Sequence, residues 1–211
     1  MRASSRCAMA ACLSMVTLYG GCASAPTPAR AMHATPAGLG QFPYTDADVD
    51  FMSGMIPHHA QAVIMAGWAP THGARKDVAI LCERIVVGQR DEIAMMQNWL
   101  RDRGQTVPDE TSTRHHMKMD GVEHDMLMPG MLTDEEMAAL DRARGPEFDR
   151  LFLLGTIKHH QGALDMVDKL FKSYGAAQDE TVFKFATDVH ADQSIEIDRM
   201  TEMLEAGGRR E

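Results

Sequence analysis

The feature that most limits how this chain can fold is an internal duplication. Asp48, Phe51, Gly54, Ile56, His58, His59 and Met65 recur at one constant spacing as Asp149, Phe152, Gly155, Ile157, His159, His160 and Met166. After a turn of variable length a second match follows: Ile85 with Val189, Gln89 with Gln193, Glu92-Ile93 with Glu196-Ile197, Met96 with Met200, and Leu100 with Leu204. Each unit is therefore a pair of segments, and stacking two units buries faces that neither covers alone.

All four segments carry helical periodicity, and no stretch alternates well enough to argue for a strand. Phe51, Met55, His58, Ala62 and Met65 step by fours and threes along one stripe. Val78, Cys82, Ile85, Gln89, Glu92, Met96 and Trp99 do the same, as do Phe148, Phe152, His159, Ala163, Met166 and Leu170, and then Val182, Ala186, Val189, Gln193, Glu196, Met200 and Met203. The expected fold is all-α: a four-helix bundle built from two repeated helical hairpins joined by a long Met/His-rich linker. Repeat one spans 45–103, the linker 104–132 and repeat two 133–206. Thr45 to Asp48 and Thr133 to Glu136 have capping-box spacing. Gly207-Gly208 ends the last helix, and Pro57 should bend the first.

Lys+Arg 21 against Asp+Glu 30 gives a formal net charge of -9, which argues against a nucleic-acid partner held by phosphate neutralisation. Residues 1–21 read as an export signal, with Arg2 and Arg6 ahead of an apolar stretch from Cys7 to Tyr19 that is too short to span a bilayer. Gly20-Gly21-Cys22 resembles a lipoprotein cleavage site, with Tyr19 where such sites usually carry Leu. Cys22 would then be lipidated and anchor the protein to a membrane; cleavage after Ala23-Ser24-Ala25 is the rival. Either route exports the chain, to the bacterial periplasm. Residues 22–44 form a tether rich in Ala, Pro, Thr and Gly, and Cys82 remains as the candidate free thiol.

Met 18 and His 10 beside only Phe 7, Tyr 3 and Trp 2 is a bias toward soft sulfur and imidazole groups. His58, Glu92, His159 and Glu196 occupy stripe positions where an apolar residue would ordinarily stabilise a bundle better. They form either a metal site between helices or buried hydrogen bonds that lock helix register. His59 and His160, about 100° around from their neighbours, complete a ligand set at the bundle edge or are solvated. Gln89 and Gln193 read as donors that orient a ligand. Met55, Met65, Met96, Met166, Met200 and Met203 are adaptable core filler or thioether ligands for a soft ion, with Met55, one turn from His58, the strongest candidate and Met65 and Met166 next. The linker adds His115, His116, Met117, Met119, His124, Met126, Met128 and Met131, which are ligands or else fold back onto the bundle.

Phe-x-x-Gly-x-Ile-x-His-His paired with Gln-x-x-Glu-Ile-x-x-Met, followed by Pro-Gly-Met-Leu-Thr at 129–133, resembles the domain-of-unknown-function 305 family over about residues 44–206. The resemblance implies a ferritin-like four-helix bundle, often exported, with some members similar to periplasmic copper-binding proteins involved in copper tolerance. Thr156 stands where Met55 does and Lys158 where Pro57 does, so a site that uses Met55 is unequal between the halves.

The leading reading is a non-enzymatic, membrane-tethered protein that binds copper, as Cu(I) or Cu(II), for sequestration or tolerance. The alternatives are a di-iron or di-manganese oxidoreductase and a metal-free envelope module. The oxidoreductase lacks the Glu-x-x-His spacing that such centres use, since Met95 and Arg199 occupy the third position after each glutamate. The long linker also permits exchange of repeats between chains, and thus a homo-oligomer.

Overall fold

The computed structural model describes residues 32–33, 43–119 and 122–208. The leader and Cys22 lie outside them. Four long helices, α1 (Asp46–Gly67), α3 (Lys76–Asp102), α5 (Pro146–Lys172) and α6 (Glu180–Gly208), carry the structure, with short α2 (Ala69–His72) and α4 (Asp134–Arg142) between them. Helix α1 packs along α3, α5 packs along α6, and α1 meets α5. Among the described residues no helix is long and apolar enough to cross a membrane.

The helix starts follow from local chemistry. Thr45 and Asp48 form a reciprocal capping box before α1, and Thr133 and Glu136 form another before α4. Asp179 precedes α6, where its Oδ1 accepts from the amides of Thr181 and Val182 and from Trp99 Nε1, while Oδ2 pairs with Arg103. That buried carboxylate ties the end of α3 to the start of α6. Pro57 lies inside α1, which runs on through it to Gly67.

The expectation of no strands is corrected. Strands β3 (His115–Met119) and β4 (Val122–Met126) pair antiparallel within the linker, and β1 (Met32–His33) in the tether pairs with β2 (Tyr44–Thr45). The signal for the linker hairpin is Asp120-Gly121, a dipeptide strongly preferred between hairpin strands. Histidines at both odd and even positions hide the alternation around it.

The repeat is visible in matching contacts. Asp48 Oδ1 accepts from the Ala177 amide at 2.7 Å, in the turn before α6. Its counterpart Asp149 accepts from the Arg75 amide at 3.2 Å, in the turn before α3. Each buried aspartate on the first helix of one unit thus fixes the turn of the other.

The core divides into two hydrophobic clusters. One holds Phe51, Met55, Met96, Leu100, Met166 and Val189; the other holds Met65, Leu81, Ile85, Phe148, Phe152 and Met200. Between them, at mid-height on the four long helices, lie His58 and His59, Gln89 and Glu92, His159 and His160, and Gln193 and Glu196. The polar stripe positions form one layer across the middle of the molecule.

The segment 128–132 closes one side of that layer as a strap between α1 and α5. Gln61 grips both backbone groups of one residue, donating to the Leu132 carbonyl at 3.0 Å and accepting from the Leu132 amide at 2.7 Å. At the equivalent place on α5 stands Gly162, where a Cβ would sit 1.9 Å from the Pro129 carbonyl oxygen and 2.6 Å from Gly130 Cα. Gly130 itself has φ +75, a conformation that glycine adopts without penalty. The Gly162→Ala substitution is expected to destabilise the protein by at least about 3 kcal/mol, because neither backbone can yield at that separation. Urea denaturation checks this, and Ala at Gly88, where a Cβ meets nothing within 4 Å, should cost nothing.

Candidate metal centre

His58, His59, His159 and His160 are all fully buried, so His59 and His160 are not solvated. The His58 and His159 rings face each other across the α1–α5 contact, 3.8 Å between centroids and tilted by 39°. His59 and His160 lie outside them, 6.3 and 6.2 Å from their chain neighbours. His59, His58, His159 and His160 thus form one continuous run of neighbouring rings.

Hydrogen bonds assign the protons. His58 Nε2 donates to the Pro129 carbonyl of the strap at 3.0 Å. His59 Nε2 donates to Glu92 Oε2 at 2.8 Å, and His160 Nε2 to Glu196 Oε2 at 2.7 Å. Carbonyl and carboxylate oxygens only accept, so each Nε2 carries the hydrogen. Nδ1 of His58, His59 and His160 then has no partner, and neither nitrogen of His159 has one. Each such buried atom costs about 1–3 kcal/mol unless something satisfies it.

Burial, with His59 close by, pushes His58 down to about 3, and burial with His58 as neighbour holds His159 well below its ordinary value. Both rings are neutral at neutral pH, and His58 Nδ1 is a bare lone pair. Glu92 and Glu196 are half-buried and orient imidazoles through one carboxylate oxygen. That is the arrangement by which carboxylates fix the tautomer of metal-binding histidines. Sequence reasoning leaves these glutamates either as ligands or as partners of histidines in hydrogen bonds; in the structure each accepts from an imidazole.

Gln89 and Gln193 are buried in a groove of about 340 Å³ between α3 and α6, beside Glu92 and Glu196, with each Oε1 unpartnered. Met55 and Met65 are fully buried, and Met166 nearly so. Thr156, the counterpart of Met55, is buried with its hydroxyl oxygen unpartnered, so the two halves differ at this position. Cys82 is buried and free, and burial with Asp149 nearby pushes its thiol up to about 12, which withholds the thiolate.

The linker candidates separate. Met131 is buried, and its Sδ accepts from the Met128 amide at 3.2 Å. His115 is buried and Met128 half-buried, whereas His116, His124 and Met126 are exposed, His116 paired with Asp125. The hairpin register sets His115 opposite Met126 and Met117 opposite His124, with Met119 opposite Val122. Directly opposed residues share a face, so His115, His124 and Met126 fall on one face and His116 falls on the other.

Among the described residues no three His, Cys, Asp or Glu side chains converge as a ready-made metal cluster. Any metal at this layer must combine imidazole with thioether, or be satisfied by few ligands. Gln61 and Gly162, which hold the strap over the imidazoles, are missing from the sequence reading. Their signal is that one repeat position carries a buried amide in one half and a glycine in the other.

A helical protein with a duplicated, buried His-His pair sealed by a Pro-Gly strap is the class that fold and site define. The chain belongs to the family Domain of unknown function (DUF305), whose profile matches residues 48–204. It is 26% identical to a DUF305 protein from Streptomyces coelicolor, covering 77% of this chain and 94% of that one at a TM-score of 0.64. It is 25% identical to a DUF305 fragment from Deinococcus radiodurans, covering 77% and 98% at 0.63. CopM, with solved Cu(I)-, Cu(II)- and Ag-bound forms, is 26% identical, and its Cu(I) form aligns over 75% of this chain and 96% of that one at 0.56. No curated protein matches the chain.

The depressed imidazoles make a pH prediction. Below the unfolded value near 6.5 the unfolded chain takes up protons that folded His58 and His159 refuse. Stability is therefore full above pH 6.5 and falls as the pH drops toward about 3. The slope should approach about 1.4 kcal/mol per pH unit for each imidazole. Urea midpoints of the metal-free protein between pH 7.5 and 5, a range over which ordinary carboxylates stay ionised, check this; the H159L variant should show a shallower fall.

Proposed function

We propose that this protein is an exported, lipid-anchored metal-binding protein that holds copper for sequestration or tolerance, and is not an enzyme. The observation that carries the reading is the row of four buried imidazoles whose Nδ1 atoms have no partner. A ferritin-like four-helix bundle of two repeated hairpins accounts for the row, because it brings the duplicated His-His motif to one level. His58 and His159 would hold the ion, with Met55 the thioether nearest in sequence. Glu92 and Glu196 keep the outer imidazoles in one tautomer, and the strap excludes water.

The donor set fits copper on chemical grounds. Imidazole and thioether are ligands for Cu(I), which accepts low coordination numbers, and neither is lost to disulfide formation in an oxidising compartment. The bound metal would supply soft Lewis-acid binding for buried lone pairs. The binding of Cu(I), Cu(II) and Ag by CopM supports the choice of metal. The carboxylate-rich di-iron alternative has less behind it, since both glutamates are engaged with histidines and no three ligands of that type converge among the described residues.

Cu(I) competition titration and thermal melting test the reading. The wild type should bind with Kd below about 1 μM, roughly -8 kcal/mol, and melt higher with copper. His159→Leu removes two unpartnered nitrogens, so the metal-free variant should be at least as stable as the wild type, yet show a clearly smaller copper-induced rise. If copper leaves the wild-type melting temperature unchanged, the imidazoles are register locks and the protein is a metal-free module.

A further inference from the structure

We infer that a second, separate soft-metal site lies at the foot of the linker hairpin, where His115, Met128 and Met166 would take a monovalent soft cation such as Cu(I) or Ag(I). The choice of cation rests on the copper reading above; the site itself rests on different residues. They come from three elements: β3, the strap and α5.

The three side chains line one cavity of about 80 Å³, together with Ala47, Asp50 and Phe51. That is room for an ion with a few waters. The two thioethers converge on Gly54 of α1. A Cβ there would lie 2.7 Å from Met128 Cε, 3.5 Å from Met128 Sδ and 3.6 Å from Met166 Cε. The glycine lets the Met128 end press onto the helix backbone, with the Met166 methyl in ordinary contact beside it.

The other half of the repeat supplies an internal control. Gly155, the counterpart of Gly54, is faced by Leu132 Cδ2 at 3.1 Å and Met65 Cε at 3.6 Å. There the strap covers a helix glycine with a leucine. Packing alone therefore asks for no sulfur from the strap, and at Gly54 the strap presents Met128, paired with Met166 and beside an imidazole.

His115 is 7% exposed and makes no hydrogen bond among the described residues. Burial lowers its basicity, against the opposing influence of Asp50, so the ring offers a lone pair at neutral pH. One imidazole with two thioethers is a soft donor set, and Lys169 and Asp50 at the cavity bring opposite charges. Occupancy would pin hairpin and strap to α5. Because the same strap covers His58, filling this site would also hold the core imidazoles sealed.

Methionine methyl NMR of the full chain titrated with Ag(I) tests the assignment. Within the first two equivalents the Met128 and Met166 methyl signals should shift, while that of Met52, buried in the core away from the cavity, should not. His115→Leu and the M128L/M166L variant should bind that ion at least about tenfold more weakly, and H159L should retain it. Unshifted Met128 and Met166 methyls, or wild-type shifts and affinity in H115L, would overturn the assignment. Imidazole shifts of His58 and His159 without methyl shifts would leave the core reading standing and this one refuted; methyl shifts that persist in H159L without core imidazole shifts would do the reverse.

Discussion

The contact between the Pro129-Gly130 backbone and Gly162 holds the rest of the structure in place. Two glycines and a proline carbonyl meet at distances that leave no room for a side chain, and Gln61 clamps the backbone of Leu132 from the opposite helix. A polar layer through the middle of a small helical protein would ordinarily draw water. Here a piece of the linker lies across the joint between α1 and α5 and spends its own carbonyl on His58. The strap thus does two things with one backbone: it shuts the layer and it sets a tautomer.

That closure explains the electrostatics. Taking an imidazole out of water disfavours its charged form, and placing a second imidazole against it adds repulsion to any proton that arrives. His58 and His159 suffer both effects. Their outer neighbours have carboxylates at the protein surface, Glu92 and Glu196, which give each ring an acceptor for one nitrogen and nothing for the other. The inner pair and the outer pair therefore differ in environment although they alternate along the same two helices. The layer is expensive, and a ligand that satisfies its open nitrogens recovers part of that cost.

The two halves are equal where they make the fold and unequal where they touch the linker. Asp48 and Asp149 fix equivalent turns, and His59–Glu92 matches His160–Glu196 within 0.1 Å. Gln61 and Gly162, Met128 and Leu132, and Met55 and Thr156 break the symmetry. One linker cannot approach two related helices in the same way, so the repeat positions beneath it diverge in size and polarity.

Sequence alone determined the helices, the duplication and the polar positions, because helical period, caps and repeat spacing are local signals that survive without tertiary contact. It also marked the histidines as out of place on an apolar stripe. It did not show that all four would be buried, that the glutamates would pair with His59 and His160 rather than with His58 and His159, or that the linker would form a hairpin. Those outcomes depend on partners distant in the chain, such as His58 and Pro129, 71 positions apart. A residue's period tells which side of a helix it occupies; only the packing of four helices and a strap decides which of its atoms is left with nothing to bind.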